Sequence, residues 1–172
     1  YFDRANGEVE IISNKSGGNT FEGNVFFESR GTLTLRHGND NTIKNNVFLG
    51  NGQDHTGGIR VINANQTISN NYLEGLTGIR FGGGFVVMNG VPNSPINRYH
   101  QVKDTVIENN TLIDVDNINL AAGSDKERSA TPQNTTFKHN LVIHSARQPF
   151  KLFDDVSGIS FENNQSNHPV PV

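Results

Sequence analysis

Large apolar side chains recur along this chain at fixed offsets from an asparagine. Phe21, Ile43, Ile68, Ile107, Phe137 and Phe161 stand three residues before Asn24, Asn46, Asn71, Asn110, Asn140 and Asn164. Phe26, Phe48, Leu73, Leu112 and Val142 stand two residues after the first five, and the last repeat breaks at Ser166. Ahead of the apolar residues come Thr20, Thr42, Thr67, Val106, Thr136 and Ser160. Successive asparagines are 22, 25, 39, 30 and 24 residues apart. The shorter intervals cluster near two dozen, and the longer ones read as the same unit with loops inserted.

A period in the low twenties, built of a short strand, a polar turn and another short strand, predicts an all-β, right-handed parallel β-helix over residues 1–172. One coil cannot bury its own apolar face, whereas stacked coils share a continuous core. Asparagine suits the bend, because it tolerates left-handed backbone angles and its amide bonds to the same amide one coil away. A leucine-rich repeat has overlapping periods, but its Leu consensus and helical half are missing. A β-sandwich would place turns roughly every 8–12 residues, without the same Asn at coil-length spacing. The two long intervals predict loop excursions near residues 82–103 and 121–134, and insertions in a solenoid tend to gather on the binding face.

Composition alone leans towards loops, with 33% hydrophobic residues and 18 Gly. Eleven Phe set in a repeat reverse that inference. Net charge is −3 and no Lys/Arg cluster occurs, which argues against a nucleic-acid partner. No apolar run is long enough to span a membrane. The absence of Cys excludes disulfides and thiolate metal sites.

Cations recur at about one coil length. Lys15, Arg36, Arg60 and Arg80 are separated by 21, 24 and 20 residues, in "SNKS", "TLTLRHG", "GGIRVIN" and "GIRF". That spacing predicts a column of like charges about 5 Å apart, which repel unless an anion lies across them. A linear anionic polymer fits. The plainer alternative pairs each Arg with acids such as Asp54, Glu74 or Asp114. Glu8 and Glu10, on the same face, favour a site.

"GEVEIISNKS", "GTLTLRHG", "TGGIRVIN" and "MNGVPNSPINRYHQV", in that order, resemble polysaccharide lyase family 6, which contains alginate lyases and chondroitinase B. The resemblance runs from Gly7 to about Gly158, and "DDVSGISFENN" is similar too. It implies a parallel β-helix that cleaves a uronic-acid polysaccharide by calcium-assisted β-elimination. Alginate is the first substrate implied, and chondroitin or dermatan sulfate the alternative. Glu8 and Glu10 match Ca2+ ligands, Lys15 the Brønsted base, and Arg36 the group that acts as or assists the acid. His37 lies near the site, and Arg60 and Arg80 are placed for substrate. Arg98, Tyr99, His100 and Arg128 would close over neighbouring sugars. His55, His139, His144 and His168 have no ligand-like spacing and read as turn or surface residues.

The chemistry suits these types. The C5 proton of a uronate is weakly acidic while its carboxylate stays negative, and a hard cation relieves that. A guanidinium scarcely deprotonates, so Arg36 is better read as a bidentate stabiliser, with the proton coming from water, His37 or Lys15. The resemblance also implies a third ligand, an asparagine on the coil before "GEVE", upstream of Tyr1. The chain is therefore expected to be the C-terminal part of a longer lyase domain, from a secreted or periplasmic protein. It could self-associate end to end or pack on a missing N-terminal part. A non-catalytic β-helix that binds anionic polysaccharide and a purely structural β-helix are the competing functions.

Overall fold

The computed structural model describes residues 1–172. After β1 (Phe2–Asp3), the chain makes six coils of three strands each. The first is β2 (Glu10–Lys15), β3 (Thr20–Glu22) and β4 (Val25–Phe27), and the second is β5 (Gly31–His37), β6 (Thr42–Lys44) and β7 (Val47–Leu49). The third is β8 (Thr56–Val61), β9 (Thr67–Ser69) and β10 (Tyr72–Glu74), and the fourth is β11 (Phe85–Met88), β12 (Lys103–Glu108) and β13 (Thr111–Ile113). The fifth is β14 (Ile118–Ala122), β15 (Gln133–Lys138) and β16 (Leu141–Ile143), and the sixth is β17 (Phe150–Leu152), β18 (Ile159–Glu162) and β19 (Gln165–Ser166). First strands pair only with first strands, second with second and third with third, with parallel ladders throughout. The result is the expected parallel β-helix with three faces.

The apolar offsets become columns. Phe21, Ile43, Ile68, Ile107, Phe137 and Phe161 are register partners on the second sheet. Phe26, Phe48, Leu73, Leu112, Val142 and Ser166 are partners on the third. Phe2, Phe26 and Phe48 stack face to face, with ring centroids 4.6 and 4.4 Å apart. Apart from Ser166, both columns belong to one core shared by the coils, which is why no coil needs a core of its own.

Between the two columns stands the asparagine ladder. The backbone N–H and Nδ2 of Asn71 both donate to Asn110 Oδ1 at 3.0 Å, and its Nδ2 also reaches Ile43 O at 3.0 Å. The same pattern runs from Asn24 to Asn164. The left-handed backbone, expected of these asparagines, belongs instead to the residue before each. Gly23, Asn45, Asn70, Asn109, His139 and Asn163 have φ of 70°, 57°, 55°, 56°, 54° and 51°. One residue makes the bend, so the next is free to turn its amide along the stack.

Three expectations need correction. The first excursion was expected to start at residue 82, but Phe85–Met88 is a fully buried strand, and the loop is residues 89–102. A strand covered on both faces is a continuous apolar run, so it shows no alternation. The second excursion shortens to residues 123–132, between β14 and β15. "GIRF" is not a strand: Arg80–Gly82 form a 3-10 turn, and Phe85 is the residue that pairs with Ile59.

Candidate functional site

The first sheet's outer face holds the site. Leu33 and Leu35 point into the core, so Thr34 and Arg36 point out by alternation. Arg60 is in register with Thr34 and Val86, and Lys15 with His37. The expected single column of cations is therefore a diagonal. The local coil from Thr34 to Arg60 is 26 residues (60 − 34), whereas Arg36 precedes Arg60 by 24 (60 − 36). Arg36 thus stands two residues further along its strand and keeps the same outward face. Arg80 leaves the sheet altogether, in its 3-10 turn with φ 54°.

The arginines converge on two aromatic rings. Tyr99, from the first excursion, lies with the Arg36 guanidinium 4.4 Å and the Arg128 guanidinium 5.0 Å from its ring centroid. Phe81 has Arg60 at 4.6 Å and Arg128 at 5.7 Å. Both rings pack on a small apolar cluster outside the coil, Ile62, Val86, Met88 and Ala122. Arg60 is 3% exposed; its Nη1 donates to Glu10 Oε1 at 3.3 Å and its Nη2 to Tyr99 Oη at 3.2 Å. Burial pulls its pKa below the usual arginine value, with Tyr99 and then Glu10 acting against that. Arg36 Nε lies 3.9 Å from the same Glu10 oxygen, and Arg36 Nη1 has no acceptor. Asp54, Glu74 and Asp114 pair with neither arginine, and Glu10 is the acid that both reach.

Lys15 ends β2, exposed and without an ion pair. Its neighbour His37 has its pKa lowered by burial, then by Arg36 and Lys15, with Glu10 opposing. His37 is therefore mainly neutral at pH 7. Arg128 Nε donates to Gly123 O at 2.7 Å and Nη2 pairs with Asp125 at 2.8 Å, so the second excursion presents it to Tyr99. Arg98 does not enter the cluster but pairs with Glu127 across the two excursions. His100 stays in its loop, with Nδ1 3.3 Å from Ser94 O. Nothing in the sequence marked Phe81 beyond an aromatic beside a glycine run. His144, expected at a turn or surface, is 4% exposed with Nε2 2.8 Å from Asp116 Oδ1.

Glu8 and Glu10 were expected to share a strand, but β2 begins at Glu10. Glu8 is exposed in the preceding bend and lines a cavity of about 720 Å³ with Arg30, Arg80, Phe81 and Asn119. This concavity adjoins the arginine cluster through Phe81. Carboxylate oxygens are the donor class calcium takes. The chain brings no group of three or more His, Cys, Asp or Glu together, and Glu10 Oε1 already faces two arginines. These two carboxylates fit calcium in kind, and would by themselves be only part of a shell of six to eight oxygens.

The model of the Chondroitinase B family matches residues 1–170. Among solved structures, the PL6 family alginate lyase AlyGC is 66% identical, with a TM-score of 0.95 over 96% of this chain and 23% of that one. A mannuronic acid specific polysaccharide family 6 lyase from human gut microbiota is 31% identical, with a TM-score of 0.83 over 95% of this chain and 37% of that one. A PL6 alginate lyase in complex with a trisaccharide is 28% identical, with a TM-score of 0.79 over 95% and 40%. No curated protein matches the chain significantly. The chain spans less than half the length of each of these structures.

Proposed function

The chain belongs to the chondroitinase B family of polysaccharide lyases, family 6, and from that premise we propose that its full protein cleaves a uronic-acid polysaccharide by β-elimination, with alginate the first substrate and chondroitin or dermatan sulfate the second. The observation that supports it best is the surplus of cations on the first sheet and in the excursion over it. Lys15, Arg36, Arg60 and Arg128 are reached by two acids only, Glu10 and Asp125. On a chain of net charge −3, that surplus suits a polyanion. The relatives that are alginate lyases, one of them bound to a trisaccharide, put alginate first.

Lys15, exposed and unpaired, removes the C5 proton as a neutral amine. Arg36, 24% exposed, offers its guanidinium to the sugar carboxylate, in the fork geometry that suits two oxygens. Arg60, fixed by Glu10 and Tyr99, keeps positive charge beneath it without reorganising. Phe81 and the adjoining cavity offer apolar surface to neighbouring rings. Glu8 and Glu10 would hold Ca2+ in the full protein, and when bound it supplies charge that makes the C5 proton easier to remove. The same proposal includes a secreted or periplasmic location, where a polymer too large to cross a membrane is met.

The test is ultraviolet absorbance of the new C4=C5 bond when the full-length protein meets alginate, chondroitin sulfate and dermatan sulfate. Absorbance should rise on alginate and be lost in Lys15→Ala while binding survives. Binding with no absorbance change in the wild type would favour a non-catalytic sugar-binding β-helix. No salt-sensitive binding at all would favour a structural one.

A further inference from the structure

The outer face of the third sheet is apolar where that of the second is polar. In β6, β9 and β15 the outward residues beside Ile43, Ile68 and Phe137 are Thr42 and Lys44, Thr67 and Ser69, and Thr136 and Lys138. That is the alternation of a sheet with one face in water. The third strands break it, reading VFF, VFL, YLE, TLI and LVI. Their middle residues lie in the core, so the residues on either side point outward. Register gathers these into two columns. Val25, Val47, Tyr72 and Leu141 stand in one, broken by Thr111. Phe27, Leu49, Ile113 and Ile143 stand in the other, broken by Glu74. Asp3 and Gln165 close the strip at its two ends.

None of these apolar residues packs on either buried cluster. The first sheet shows what this fold does with outward apolar side chains: Val86 and Met88 lie beneath Phe81 and Tyr99. The third sheet has no such cover, since both excursions leave between the first and second sheets. Tyr72, at its centre, is 36% exposed. A strand apolar on both faces is the pattern of a strand covered on both faces, and an apolar patch with a polar rim marks a place of contact.

We infer that this face is a docking surface, and that its occupant is a segment of the same full-length protein from outside these residues, laying apolar side chains along the solenoid axis. Size argues against a free partner. Five strands at about 4.8 Å and three residues at about 3.3 Å make a strip of roughly 24 by 10 Å. That is about 240 Å², against the ~800 Å² per partner of a stable free pair. A segment tethered to the solenoid needs less, because its effective concentration is high. The topology also favours it. β1 and β19 are the two edge strands of this sheet, so flanking residues start out from the two ends of the strip. Such residues exist in AlyGC, of which this chain covers 23% at 66% identity.

The test is the full-length protein with p-benzoylphenylalanine in place of Tyr72, an aromatic for an aromatic at the centre of the strip. Irradiation should join it, within one chain, to a peptide outside residues 1–172. A cross-link between two chains would give the face to a second copy and overturn the assigned occupant. A cross-link confined to residues 1–172, or none, would overturn the docking surface. A second measurement needs no bulky probe. Leu49→Cys on the third sheet and Lys44→Cys on the second both point outward. In the full-length protein the thiol at 49 should react with a maleimide at least about 10-fold more slowly than the thiol at 44, because its cover must open first. Equal rates would overturn the inference, and a difference that appears only as protein concentration rises would again give the face to a second copy.

Discussion

Glu10 Oε1 accepts from Arg60 Nη1 at 3.3 Å across an intervening strand, although the two residues are 50 apart in sequence. The pair is desolvated, with side chains 3% and 13% exposed. Removing one partner of such a pair leaves a buried charge uncompensated. Glu10→Ala should therefore cost on the order of 3 kcal/mol in urea unfolding. Glu10→Gln, which keeps an acceptor oxygen, should cost less than half of that. Equal losses in the two variants would show that shape, rather than charge pairing, sets the contribution of Glu10.

The ladder should be most sensitive at its middle. Asn71 is 2% exposed and donates to Asn110 Oδ1 and Ile43 O, while accepting from Asn46. Asn71→Ala strands donors of Asn46 and leaves Ile43 O and Asn110 Oδ1 short of partners. A loss of about 3–5 kcal/mol is expected from several unsatisfied buried groups at once. Asn24, at one end and partly exposed, should cost less than half as much. The check is paired chemical unfolding of the two alanine variants.

What could be read from the sequence is what repeats. The columns through Ile43 and Phe48 and the ladder through Asn71 follow from fixed offsets, because each coil solves the same burial problem. Register could not be read that way. The 26-residue coil between Thr34 and Arg60 differs from the 24-residue separation of the arginines, and turn length sets it. Phe85–Met88 escaped because a strand buried on both faces has no polar alternation. Phe81 and the Glu10–Arg60 pair escaped because side-chain convergence depends on which loop folds back where. Periodicity marks Lys15 and Arg36 only as members of a series of cations, and their separate roles follow from the family motif.

Two arginines in the excursions should behave oppositely. Arg98 and Glu127 form a surface pair, 48% and 59% exposed, so Arg98→Ala should change stability by less than about 1 kcal/mol. Arg128 lies over both Tyr99 and Phe81 and is tied to Gly123 O. Arg128→Lys keeps the charge but loses the planar stack and the Nε bond. It should raise KM for oligouronates about 10-fold, a change of about 1.4 kcal/mol in binding, with unfolding little changed. Steady-state kinetics on both variants decides; a larger KM effect at Arg98 would place the sugar contact in the first excursion instead.

Acid should loosen the loop side of the solenoid. Asp154 has its pKa lowered, first by the Asp155 backbone N–H and then by Ser124 and Asn89, and the last two bonds tie three coils together. Asp114 is lowered by the Ser145 N–H, and Asp125 by the N–H groups of Arg128 and Glu127. Each folded pKa lies below the ordinary value of 3.8. The unfolded chain therefore takes up protons first as pH falls. The stability these groups contribute is fully present well above pH 3.8 and is lost as pH drops through their folded values. Urea midpoints should hold from pH 7 to about pH 5 and then decline towards pH 2. Asp154→Asn keeps an acceptor that does not titrate, so its decline should be shallower than that of the wild type. Parallel declines in the two proteins would mean that Asp154 is not among the groups whose protonation unfolds the chain.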